Sequence, residues 1–165
     1  MAHSGKYKPN DIKKYRGDPD AIRYRSSWEL RAFQWCDRNP DIKYWSSEET
    51  AVPYFWDIDK KYHRYFIDLK ITFNSGKTIL VEIKPDKETK LPKNPNKSKR
   101  YIGEAMTYVK NMNKWEAANT YAKDRGWEFQ IWTEDTLKSM GILKEQKGKI
   151  KPLKPLKPYR KKPKK

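Results

Sequence analysis

Residues 62–84, YHRYFIDLKITFNSGKTILVEIK, hold two strand patterns joined by the short turn Asn74-Ser75-Gly76. The first carries Asp68 and the second ends in Glu82-Ile83-Lys84. Ile67, Leu69, Ile71 and Phe73 alternate with Phe66, Asp68 and Lys70, which predicts one continuous strand from Tyr62 to Phe73. The second strand, Thr78–Lys84, stops at Pro85, which has no N–H for a continuing ladder. A three-residue loop ending in glycine fits a type I turn closed by a bulge, with the glycine left-handed. Phe73 then faces Lys77. Counting back sets Asp68 opposite Glu82, with Lys84 one step along the same face. A two-residue loop would instead put Asp68 opposite Ile83.

Two carboxylates opposed across a ladder repel each other unless a cation sits between them. A hard ion such as Mg²⁺, with Mn²⁺ as a substitute, takes oxygen ligands from one or two carboxylates and keeps waters for a nucleophile. A lysine beside such a pair can orient or deprotonate the attacking water, or stabilise charge on a phosphate. The candidate catalytic residues are therefore Asp68, Glu82 and Lys84, with Asp68 and Glu82 as metal ligands. Each has a plainer reading: a solvated strand lysine, and a glutamate paired with it. Glu29 carries two readings as well. Ser26-x-x-Glu29 is a capping box, which accounts for the glutamate by itself. Yet Glu29 shares the stripe of Ala32, Phe33 and Cys36, from which a third carboxylate could complete the metal site and join the catalytic set.

The rest of the chain supplies the setting. A formal net charge of +17 over 165 residues makes a polyanion the natural partner, and double-stranded DNA is the expected one. No apolar run approaches the roughly 20 residues of a membrane helix, and the N-terminus lacks the apolar core of a signal peptide, so no membrane role is expected. The single cysteine, Cys36, excludes an internal disulfide and a cysteine-rich zinc site, and fits a reducing compartment. Two histidines, His3 and His63, are too few for zinc; His63 falls on the strand face opposite Asp68. Residues 1–25 read as a basic, turn-rich arm laid on the domain, residues 26–142 as the globular unit and 143–165 as a tail. From Lys144 the tail has ten Lys, one Arg and a single Glu, with Lys-Pro-Leu triplets of polyproline II period. It serves as a solubilising segment or as one that grips DNA or docks a partner.

Within the globular unit a serine at 26 or 27 caps a helix to about Arg38, and strands follow at Ile42–Ser46 and around Ala51–Trp56. After the hairpin, residues 85–100 form a basic loop. A helix over about Tyr101–Asp124 turns Ile102, Ala105, Val109, Met112 and Trp115 inward and ends at Gly126. A strand at Trp127–Trp132 and a short helix from Thr133 close the unit. The order predicts an α/β fold, a mixed central β-sheet flanked by helices. DNA contacts are expected from the loop after the catalytic strand, at Lys87, Lys90, Lys93, Lys97, Lys99 and Arg100. Arg23, Arg25 and Arg64 are further candidates, Arg64 on the Asp68 face by alternation. No base-reading motif is visible, so recognition of the backbone with steep salt dependence is expected.

Asp68…Glu82-x-Lys84, preceded by a helix carrying Glu29, resembles the PD-(D/E)xK nuclease superfamily and its restriction-endonuclease-like fold, most nearly the TnsA-like branch. The phrases YRGDPDAIRYRSSWEL, WSSEE, HRYFIDL, LVEIKP and KWEAANTYAKDRGWEFQIWTED are similar to head-completion nucleases of large tailed bacteriophages, over about Lys14 to Asp135. The resemblance implies that Asp68 and Glu82 bind Mg²⁺, that Lys84 assists the water and that Glu29 fills the upstream acidic position. Ile67 stands where the motif has proline, and the TnsA-like branch can carry glutamine where this chain has Glu82. By the same resemblance the protein cuts packaged DNA when a filled head becomes competent to join a tail. Phage portal and neck proteins would be its partners, in the host cytoplasm during assembly or retained in the virion at the portal vertex. A structural neck protein using a nuclease fold, and a transposase-type nicking subunit, are the competing readings.

Overall fold

The hairpin turn anchors the architecture. In the computed structural model, which describes residues 4–93 and 98–144, Gly76 N donates to Phe73 O at 2.9 Å and Phe73 N to Lys77 O at 2.8 Å. Gly76 has φ of +96°, a left-handed value that costs a side chain and suits glycine. The elements in chain order are β1 (Gly5–Lys6), β2 (Arg23–Tyr24), α1 (Ser27–Arg38), β3 (Ile42–Ser46), β4 (Ala51–Trp56), β5 (Lys61–Phe66) and β6 (Leu69–Phe73). They continue as β7 (Thr78–Ile83), α2 (Lys99–Asp124), β8 (Glu128–Trp132) and α3 (Glu134–Ser139). The central sheet runs β3-β6-β7-β8. Its first two pairings are antiparallel, and α2 is the crossover that makes β7–β8 parallel, so the sheet is mixed. Helices flank it, as the sequence predicts.

Two apolar cores lie on the two faces of this sheet. On one, α1 buries Ala32, Phe33 and Cys36 against Trp45, Leu69, Ile71, Ile79 and Val81. Ser26 caps that helix, its Oγ accepting from Glu29 N at 3.1 Å. Residues 5–24 contribute directly, since Tyr15 and Ile22 are buried in the same core. Asp37, at the end of α1, ties the segment down by accepting from Tyr7 Oη and Asn10 N. On the other face, α2 and the separate hairpin β4–β5 enclose Val52, Tyr54, Tyr65, Ile67, Leu80, Trp115 and Ala118.

Three expectations are corrected. The strand expected over residues 62–73 is two strands, broken at Ile67-Asp68. β5 pairs with β4, whereas β6 pairs with β3 and β7, so the chain changes partners at the break. Ile67 N donates to Thr50 O and Glu48 N to Ile67 O, both at 3.0 Å, and Ile67 enters the α2-side core while Leu69 enters the α1-side core. The alternation that put Ile67 and Leu69 on one face therefore fails there. The basic loop is also shorter than expected. Ser98 caps α2, so Lys99 and Arg100 belong to its first turn.

The third correction concerns which stripe of α2 is buried. Asn111, Trp115, Ala118 and Ala122 face the core, whereas Ile102, Met106, Val109 and Met112 are between 43 and 53% exposed. The alanines let the C-terminal half of the helix approach the sheet closely. Lys110 already lies over Trp56, the last residue of β4. The expectations for His3, Lys97 and nearly all of the tail fall outside the described residues.

Candidate active site

Asp68 sits at the joint between β5 and β6. The last paired residues of the β6–β7 ladder are Leu69 and Val81, so the same register carries Asp68 onto Glu82. Asp68 Oδ2 accepts from Ile83 N at 2.8 Å, which fixes the carboxylate against the neighbouring strand, and Oδ1 has no donor among the described residues. Glu82 is buried, 7% exposed. Tyr65 Oη donates to its Oε1, and Lys84 Nζ stands 3.5 Å from its Oε2. Lys84 lies just past β7, its amide N donating to Trp132 O at 3.0 Å and its ammonium 4.0 Å from Glu88. Asp68, Glu82 and Lys84 thus stand together at one end of the hairpin.

The electrostatics centre on Asp68. Burial pushes the Asp68 pKa well above the carboxylate range, and the charges of Glu82 and Glu29 push it further. The Ile83 N–H and the Lys84 ammonium only partly oppose this. Burial also raises the Tyr65 hydroxyl, with Glu82 adding to the effect, so Tyr65 remains a donor to that carboxylate. A pair of hard oxygen donors that resist being charged together fits a divalent ion that keeps several waters. The three predicted ligands do not form one closed cluster, since no three His, Cys, Asp or Glu side chains converge to hold a metal among the described residues. Asp68 and Glu82 are the pair that the hairpin register brings together, and Glu29 acts on Asp68 through its charge.

Ser26 caps α1, and the Glu29 carboxylate folds back onto the residue before that cap rather than onto Ser26 N. Glu29 Oε1 accepts from Arg25 N at 2.9 Å. Burial raises its pKa, the Arg25 N–H lowers it, and Glu48 and Glu82 raise it again, so it lies within the field of the site. Glu29→Gln keeps the acceptor and removes the charge. Cleavage is expected to fall at least about tenfold, more than the ~1 kcal/mol loss of a cap could produce through unfolding. Cleavage at the wild-type rate with a slightly lower Tm would leave Glu29 as an acceptor for Arg25 N alone.

The basic residues are more scattered than the sequence suggests. Arg64 is exposed with its guanidinium 5.3 Å from the Phe66 ring, on the outer face of β5, because Tyr65 is the residue turned towards Glu82. This corrects its placement beside Asp68. His63, by the same inversion, lies on the inner face with Tyr54 and bonds Asp59 at 2.7 Å. Lys87, Lys90, Lys93 and Arg100 line a groove of about 950 Å³ between the segment after β7 and α2. Lys90 is paired with Asp86 and Arg100 with Glu104, at 3.0 and 3.2 Å. Lys99 is exposed at the start of α2, as is Arg23 on β2, and Arg25 pairs with Glu48.

Two side chains at the site escape the sequence reading. Tyr65 is hidden by the assumption of one unbroken strand, which turns it away from Asp68. Lys114 of α2 is half-buried and lies within the fields of Glu82, Lys84 and Asp68. Its signal was available: Asn111 and Lys114 interrupt the apolar pattern beside the inward Trp115.

Comparison with known proteins bears on this geometry. Residues 39–134 match the family model described as TnsA-like endonuclease N terminal. A head completion nuclease of Enterobacteria phage T4 is 45% identical over 147 residues, covering 86% of this chain and 98% of that protein.

Proposed function

Because this chain belongs to the TnsA-like endonuclease family, we propose that it is a divalent-metal-dependent DNA endonuclease of phage head completion. The observation that carries the reading is the opposition of Asp68 and Glu82 across the β6–β7 register with Lys84 beside them. Asp68 and Glu82 would hold the ion. When bound, such an ion supplies Lewis-acid stabilisation of a phosphoryl oxygen and lowers the pKa of a bound water. Tyr65 orients Glu82 through its hydroxyl, and Ile83 N–H orients Asp68. Lys84 contributes a positive charge to the phosphate undergoing attack, or a proton acceptor for the incoming water.

Mg²⁺ is the expected ion, with Mn²⁺ as a substitute, and packaged double-stranded DNA the substrate. Support for the setting comes from the similar head completion nuclease, which covers most of the chain. Portal or neck proteins are the proposed partners, in the host cytoplasm or at the portal vertex. No helix among the described residues is long and apolar enough to cross a membrane.

Plasmid cleavage by the purified protein with Mg²⁺ and with EDTA, at one fixed salt concentration, tests the reading. Nicking or linearisation only with the ion is the expected result. Tight DNA binding without cleavage in either condition would move the reading to a structural, DNA-binding neck protein that uses a nuclease fold.

A further inference from the structure

Helix α2 passes over the site carrying two lysines one turn apart, Lys110 and Lys114. Lys114 Nζ lies 5.6 Å from the Tyr65 ring and 5.9 Å from the Tyr54 ring, and Lys110 Nζ 5.6 Å from the Trp56 ring. Both side chains are half-buried, and neither makes a hydrogen bond or an ion pair among the described residues. Burial lowers the Lys114 pKa, Lys110 and Lys84 lower it further, and Glu82 and Asp68 oppose them. An ammonium that has lost part of its hydration, with no counter-ion in contact, is expensive to leave so. Aromatic faces offset part of that cost and hold the cation in place. Lysine stems also cover aromatic rings simply to shield them from water, and that plainer role must be separated by experiment.

The spacing favours more than shielding. Four residues of helix advance about 6 Å along its axis. That is close to the separation of neighbouring phosphates along a nucleic-acid strand. Moreover, Tyr65 is the side chain that bonds Glu82, so the lysine over its ring lies next to a residue that touches the carboxylate pair and within that pair's field. Lys110, over Trp56, lies one turn outward towards the tip of the β4–β5 hairpin.

We infer that Lys114 and Lys110 form a two-phosphate track on α2. Lys114 holds the phosphate at the point of cleavage and Lys110 holds the next phosphate of the same strand. The inference rests on the nuclease reading, and it gives the substrate strand a path along α2 towards the hairpin tip. It makes Lys114 a catalytic residue by contact with substrate, and it names backbone phosphate as the ligand.

Lys114→Met and Lys110→Met keep the apolar stem over the rings and remove the charge. Lys123→Gln, on an exposed turn near the far end of α2, removes the same charge elsewhere. Binding of a duplex oligonucleotide in EDTA is measured across a salt series, with cleavage in Mg²⁺ measured alongside. Each track variant is expected to reduce the slope of log affinity against log salt by about one, while the Lys123 variant leaves it near wild type. Lys114→Met is further expected to lower kcat/KM at least about tenfold, and Lys114→Arg to restore most of it. Wild-type slopes and cleavage for both methionine variants would overturn the track, as would losses matched by Lys123→Gln. Should Lys114→Met fail to fold by circular dichroism, Lys110→Met and Lys114→Arg carry the same comparison. Wild-type protein that never cleaves would remove the nuclease reading, while the salt slopes would still decide the track.

Discussion

Asp68→Asn is expected to cut cleavage severely and yet stabilise the metal-free protein at neutral pH. The Asp68 carboxyl is held above its ordinary range by burial first, then by Glu82 and Glu29. A carboxyl whose pKa rises on folding binds its proton more tightly in the folded chain, so ionising it opposes folding. The penalty is absent below the unfolded carboxylate pKa and grows as pH rises through that value. It is complete once pH passes the raised folded value. Asparagine carries no charge, and its side-chain oxygen can still accept from Ile83 N. Thermal melts in EDTA from acid to neutral pH should therefore show the variant gaining on the wild type as pH rises. On the proposed reading, added Mg²⁺ should then stabilise the wild type selectively, because only its carboxylate pair would bind the ion. A variant that melts lower at every pH would sink this electrostatic account. Loss of one ligand is expected to reduce turnover about 10²-fold or more.

Lys84→Ala is expected to lower kcat by about 10²–10⁴-fold while DNA affinity at fixed salt stays near wild type. Its ammonium is 3.5 Å from Glu82 Oε2, close enough to the carboxylate pair to act on whatever that pair positions. In a chain of net charge +17, one lysine is a small part of the attraction for a polyanion. An interaction made mainly in the transition state lowers kcat with little change in KM. Single-turnover cleavage together with a binding isotherm separates the two. Binding and cleavage lost in equal measure would make Lys84 a phosphate anchor rather than a participant in the chemistry.

The parts of the site that the sequence reveals are those set by local chemistry. Asn74-Ser75-Gly76 dictates a loop length, loop length dictates register, and register carries Asp68 onto Glu82. Ser26 and Glu29 likewise announce the start of α1. What stays hidden depends on distant partners. Phe66-Ile67-Asp68-Leu69 alternates well enough to read as one strand. Nothing local says that β5 joins β4 while β6 joins β3 and β7. That single switch inverts the side assigned to His63, Arg64 and Tyr65. In α2, periodicity picks out the large side chains Ile102, Val109 and Met112, whereas packing prefers the small Ala118 and Ala122 next to Trp115. Hydrophobic size competes there with closeness of approach, and closeness wins.

The break at Asp68 also bears on when the molecule becomes dangerous to DNA. One side of the break, Tyr65 and Ile67, consolidates with α2, and the other, Leu69 and Ile71, with α1. Strand β7 sends Val81 to one core and Leu80 to the other, with Glu82 next in line. Units that open separately do so at different free energies, and a site on the seam between them survives only while both are closed. A chain that has consolidated one core, during synthesis or after damage, still lacks the opposed carboxylates. On the proposed reading of Asp68 and Glu82, competence to cut coincides with completion of folding.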